Sequence, residues 1–154
     1  MSALKAALVP VAAGAVTMAA LSIWTVTGHA GSPARIHVEN AWVMTPTAPQ
    51  TAAYFTVANT GDAADDLLEV RTPIADMTML GRQVTHAGAG QMVMGGALTV
   101  PAHGVVRMTP FTADVMFRPR DPLPVGRRVP FTLVFRHSGP VRVTAVVAPP
   151  GSHG

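Results

Sequence analysis

The side chains able to hold a soft metal are concentrated in one stretch. "ADMTMLGRQVTHAGAGQMVM", residues 75–94, carries four of the chain's nine methionines and one of its six histidines. Met77 and Met79 alternate, Met92 and Met94 alternate, and His86 falls between the two pairs. Two thioethers at i and i+2 leave the same face of a β-strand. Thioether sulfur is neutral, does not titrate and is soft, so it suits Cu(I) better than Zn(II) or Mg(II). The same spacing also arises when methionine, a flexible filler, lines the buried side of a strand. Residue types alone leave both readings open.

Other chemistries find less support. The eight acids are Glu39, Asp62, Asp65, Asp66, Glu69, Asp76, Asp114 and Asp121. Most lie in turn contexts such as "TGDAADD", where a carboxylate bonds its own backbone and faces water. No G-x-S-x-G elbow, HExxH helix, EF-hand loop or phosphate-cradling glycine loop is present, so an enzyme is not expected. There is no cysteine, which excludes thiolate zinc sites, a thiol nucleophile and a blue-copper centre. The net charge of +3 is small and its arginines are dispersed, so nucleic acid is not an expected partner. His37, in an early strand, and His137, at a hairpin turn, read as structural or exposed, and His153 belongs to the tail.

The elements that must position these residues follow a hydrophobic leader. After Lys5 the chain runs from Ala6 to Thr27 without a charge, long for a signal-peptide core and just long enough to span a bilayer. "GHA" at 28–30 offers a cleavage site after Ala30. Residues 1–30 thus read as a signal peptide or an N-terminal membrane anchor, and the remainder as exported, either secreted or held at the membrane by that segment. From Ala34 onward no stretch keeps a 3.6-residue apolar period for three turns. "RIHVENAWVM" (35–44), "AAYFTVAN" and "LLEVRT" read as strands separated by proline and glycine turns. "ALTV-PAHG-VVRMTP" (97–110) reads as two short strands around a turn, and "VMFRPRDPLPVGRR" as an irregular connection. "VPFTLVFRH-SGP-VRVTAVVAP" (129–149) reads as a hairpin. The class expected is all-β, a Greek-key sandwich or small barrel preceded by a hydrophobic helix, with residues 149–154 a disordered tail.

The order of the pieces carries a resemblance. "AWVMTPTAPQTAAYFTVANTGDAADDLLEVRTPIA" (41–75) resembles the opening of the periplasmic copper chaperones called PCu(A)C, where an AW(V/A)R strand, a proline loop, an AAYF strand and an acidic turn occur in this order. "VPAHG" is similar to that family's IPAGG, and "VGRRVPFTLVFRHSGPVRVTAVV" to its terminal hairpin. The similarity covers about residues 36–148. It implies a cupredoxin-like β-barrel over 35–148 that binds Cu(I) and hands it, as a monomer, to an extracytoplasmic acceptor such as the copper centre of a terminal oxidase.

The family's ligand motif runs His or Met, ten residues, Met, twenty-one residues, His, one residue, Met. Carried over, its last Met is Met116, its second His position holds Asp114, and its central Met is Met92, with Met94 an alternate in the local G-x-M-x-M pattern. The first position is expected in "PIADMTM", where Ala75 stands for the His and Met77 follows, with "VTHAGAG" reading as an insertion before Met92. Met77 or Met79 is then the candidate first ligand, and His86 or His103 the candidate source of a nitrogen. Such a thioether site with a nearby carboxylate is expected to hold Cu(I) more weakly than the family site and Cu(II) poorly. The alternative is a domain that has kept the fold, lost copper and become a membrane-proximal interaction module.

Overall fold

The computed structural model describes residues 2–26 and 30–152, and the chain divides into two units, 1–33 and 34–154. The first contains helix α1, Ser2–Val26, whose side chains from Pro10 onward are exposed. Among the described residues no helix is long and apolar enough to cross a membrane. The expected cleavage site includes Gly28 and His29, and the expected tail includes His153; these three lie outside the described residues.

The second unit is all-β, as its patterning requires. Its ten strands are β1 (Ile36–Met44), β2 (Thr51–Asn59), β3 (Asp65–Arg71), β4 (Thr78–His86), β5 (Ala89–Met94), β6 (Leu98–Val100), β7 (Val105–Arg107), β8 (Ala113–Phe117), β9 (Arg128–Phe135) and β10 (Gly139–Ala148). They form one sheet in the order β5-β4-β8-β2-β1-β10-β9-β3-β6, with β7 also pairing β2. The parallel pairing of β1 with β10, strands far apart in sequence, interrupts an otherwise antiparallel ladder. The sheet does not close: β5 and β6 are its ends.

Alternation along the strands sends one set of side chains into a single core. Phe55, Phe131, Leu67, Leu133, Val43, Val57, Val115, Val129 and Val147 are fully buried. Phe131 meets Phe55 and Phe117 edge to face, with ring centroids 5.3 and 5.6 Å apart. Burying each such side chain contributes about 1.5–3 kcal/mol relative to exposure. Two buried polar residues fix the loops. The Asn59 side chain accepts from the Arg35 and Gly61 amides and donates to the Ala63 carbonyl. Asp65 accepts from the amides of Asp66, His137 and Ser138, tying the start of β3 to the β9–β10 turn.

Three local expectations are corrected. "VMF" is not part of an irregular connection; Val115–Phe117 completes β8, pairing with both β2 and β4. The two short strands in 97–110 exist but do not pair with each other, since β6 joins β3 and β7 joins β2. The "VTHAGAG" segment is not an inserted loop, because its residues continue β4, turn, and begin β5.

Candidate metal centre

The β4–β5 hairpin turns through Ala87 and Gly88, with φ of 50° and 82°. Positive φ at both central residues is the turn whose twist matches two antiparallel strands, so two residues suffice and the register is fixed. It places Gly81 opposite Met94 and Gln83 opposite Met92. On the other side of β4, strand β8 pairs Met79 with Met116 and Gly81 with Asp114. Residues directly opposite share a face, as do residues two apart on one strand. Met79, Gly81, Met92, Met94, Asp114 and Met116 therefore occupy one face of a three-stranded patch, at the β5 end of the sheet.

Gly81 is the centre of that patch. A Cβ built on it would lie 2.5 Å from Asp114 Oδ1, 3.1 Å from Met94 Sδ and 3.4 Å from Met92 Sδ. Its backbone is outside the left-handed region, so the space and not the conformation calls for glycine here. One hard and two soft donor atoms thus converge where a side chain is missing. Met79 and Met116 form the adjacent row, about 7 Å along the strands.

The electrostatics of the cradle are unusual for a surface sheet. Asp114 is buried, and its Oδ1 has no hydrogen-bond partner; among the described residues the only other such buried side-chain atom is Arg82 Nε. Desolvation pushes the Asp114 carboxyl above the ordinary aspartate range. The Tyr54 hydroxyl is raised in turn, first by its own burial and then by the Asp114 charge. Tyr54 stacks on Trp42, ring centroids 4.5 Å apart, and gives the site a rigid inner wall. Leaving a buried carboxylate oxygen unpartnered costs about 1–3 kcal/mol or more, so the atom is one that a cation would satisfy.

Exposure separates the methionines by role. Met108 is core filler at 4% exposure, whereas Met79, Met92 and Met94 are 44, 41 and 43% exposed. Met116 is half-buried against the core. Met77, 72% exposed, precedes β4 and lies with Asp76, Arg118, Pro119 and Arg120 around a shallow depression. The structure therefore brings together Met92, Met94 and Asp114, sets Met79 and Met116 beside them, and leaves Met77 at the margin. His86 is not brought in: five residues beyond Gly81, it has the opposite parity and is roughly 17 Å further along β4. His103 is also elsewhere, in the β6–β7 turn, with Nε2 2.7 Å from Asp62 Oδ1. No group of three or more His, Cys, Asp or Glu side chains that could hold a metal ion occurs among the described residues.

Gly81 is the position that sequence reasoning missed. Ten residues separate it from Met92, twenty-one separate Met92 from Asp114, and one separates Asp114 from Met116. That is the full spacing of the motif given above, without insertion. On that spacing the motif's first position falls on Gly81 rather than on Ala75, which is buried in the β3–β4 connection. A count of ten back from Met92 would have found it, but a glycine offers no side chain to recognise as a ligand.

A sequence-family model described as putative lipoprotein LpqE-like matches residues 36–147. No curated protein matches the chain by sequence. Among solved structures, a copper-bound PCuAC domain from PmoF2 is 25% identical, with a TM-score of 0.61 over 78% of this chain and 98% of that one. The solution structure of apo-DR1885 from Deinococcus radiodurans is 32% identical, with a TM-score of 0.58 over 77% of this chain and 83% of that one. The Cu(I) form of DR1885 is likewise 32% identical, covering 72 and 76% of the two chains at a TM-score of 0.58.

Proposed function

The chain belongs to the LpqE-like family of PCuAC domains, a non-enzymatic, metal-trafficking family, and on that premise we propose that it is an extracytoplasmic Cu(I) carrier. Its cargo site is built on Met92, Met94 and Asp114, with Met116 and Met79 as the neighbouring sulfurs. The observation that carries this reading is the convergence of two exposed thioethers and one unpartnered buried carboxylate oxygen on Gly81. Met94 fills the space that the motif reserves for a first side-chain ligand, so the site has exchanged imidazole for thioether and carboxylate.

The mechanism is ligand exchange without chemical conversion. Neutral, soft, half-exposed sulfurs release Cu(I) to an incoming donor one bond at a time, and Asp114 keeps the ion seated until that donor arrives. The acceptor is an extracytoplasmic copper protein, such as the copper centre of a terminal oxidase. Export is consistent with the family's description as lipoproteins.

Anaerobic titration of the full chain with Cu(I) against a colorimetric chelator tests the proposal. Wild type is expected to take one equivalent, and Met92→Leu/Met94→Leu, which conserves volume and leaves folding nearly intact, to lose most of its affinity. The absence of imidazole favours one rival, a fold retained without copper as an interaction module. Failure of wild type to take Cu(I) from a chelator of micromolar strength would decide for that rival.

A further inference from the structure

We infer that the open β5 edge pairs with β5 of a second copy, joining two chains into a symmetric dimer through one continuous sheet. The pairing needs no metal and is independent of the carrier reading. The two ends of the sheet are unalike. β6, at one end, has three residues and a fully buried Val100, so it offers almost no free edge. β5, at the other, has six residues, Ala89–Met94, all exposed except the half-buried Val93. A bare edge is normally guarded by charge, proline, a bulge or shortness. "AGQMVM" has neither charge nor proline, and its register with β4 runs unbroken from Ala89 to Met94.

The bonds already made by β4 show which groups of β5 are free. Gln83 spends its amide on the Thr112 carbonyl, on the β8 side. Its β5 partner Met92 is therefore in a non-hydrogen-bonded pair with β4, and the Met92 N–H and C=O point to the open edge. Alternation puts Gly90 and Met94 in the same state and turns the backbone groups of Gln91 and Val93 inwards. The Gly95 amide, bonded to the Leu80 carbonyl, agrees with this phase.

These free groups complement themselves about a two-fold axis. With Met92 set against Met92 of the second copy, Gly90 faces Met94 and Met94 faces Gly90, so every outward residue of the strand is paired. Centring on Gln91 would leave Met94 against Gly88 in the turn, and centring on Val93 would leave Gly90 beyond the end of the strand. A foreign strand could use the same groups, but only a second copy matches them by symmetry. The Met92 and Met94 side chains keep their face, so the methionine clusters of the two copies become neighbours across the axis. One short strand a side is less than the roughly 1,200–2,000 Å² of a stable interface, so the dimer is expected to form and dissociate with concentration.

Sedimentation and amide hydrogen exchange on the full chain, metal-free and across protein concentrations, test this. Wild type is expected to pass from monomer to dimer mass as concentration rises. Over the same range the amides of Gly90, Met92 and Met94 should gain at least about tenfold protection, while those of Gln91 and Val93 stay protected throughout. Met92→Leu, which keeps the backbone groups, should dimerise as wild type does. Gln91→Lys puts a charge on the edge, and Met92→Pro removes an N–H that makes no bond within the sheet; both should stay monomeric with unchanged circular dichroism. A wild type that is monomeric up to about 1 mM would overturn the inference. So would a dimer whose Gly90, Met92 and Met94 amides still exchange freely, or association that both edge variants retain, as self-association of the apolar leader would be. The exchange measurement uses wild type alone, so it decides even where a variant fails to fold.

Discussion

At the scale of single residues, the centre of this site is an absence. A methyl group on Gly81 would lie 2.5 Å from Asp114 Oδ1, 3.1 Å from Met94 Sδ and 3.4 Å from Met92 Sδ. Gly81→Ala forces the Asp114 carboxylate out of its seat and presses on the Met94 sulfur. Overpacking of this kind typically costs about 1–3 kcal/mol, so the variant is expected to unfold at lower urea and to bind Cu(I) more weakly. Chelator competition and urea melts on the same sample check both effects; unchanged copper affinity would show that the donors do not converge as described. Met92, Met94, Asp114 and Met116, which the sheet brings to one face, stand out in the sequence because sulfur and carboxylate types at a recognisable spacing carry their own signal. Gly81 does not, because its contribution is the room it leaves.

At the scale of elements, two turns do most of the positioning. The Ala87-Gly88 turn sets the β4–β5 register, and a slip of one residue would send Met92 and Met94 to the opposite face. The parity that brings them in takes His86 out, which is why a histidine so close in sequence is remote from the site. The second device is Asp65, which joins β3 to the β9–β10 turn. Burial pushes its carboxyl up, but the hydrogen bonds from Ser138, His137 and Asp66 together outweigh that and hold it below the usual aspartate range. A depressed carboxyl stabilises the fold above the unfolded value of about 3.9 and loses that contribution as pH falls towards its folded value. Wild type should therefore lose stability on acidification below about pH 4 more steeply than Asp65→Asn. The variant should itself be about 1–3 kcal/mol less stable at neutral pH, since it leaves buried amides without a charged acceptor. Urea melts across pH 3–7 on both proteins test this, and parallel curves would contradict the assignment.

At the scale of the molecule, the candidate site and the core share one sheet. Every buried hydrophobic residue among the described ones lies between Trp42 and Ala148. A chain begun at Gly31 is expected to show the same β-rich circular dichroism as the full chain and a melting temperature within a few degrees of it. A large loss of either would mean that the leader unit contributes to the fold. The ligand-bearing hairpin is at the open end of the sheet, where β5 has a neighbour on one side only. A carrier needs its cargo within reach of a second protein, and strands deep in the sheet offer no such approach.

By itself the sequence determined the class of fold, the strand-and-turn order and the kinds of donor available, because alternation, turn chemistry and residue softness are local properties. Only the tertiary structure decided which donors meet. The pairing of Met79 with Met116 and of Gly81 with Asp114 joins segments more than thirty residues apart. Their register depends on the turn of one hairpin and on β8 being held against β2. Those non-local pairings separate Met108, buried as filler, from Met92 and Met94, exposed beside an unpartnered carboxylate, although all three are the same residue type in strand-rich sequence. Methionine chemistry is written in the chain; which methionines can use it is set by the sheet.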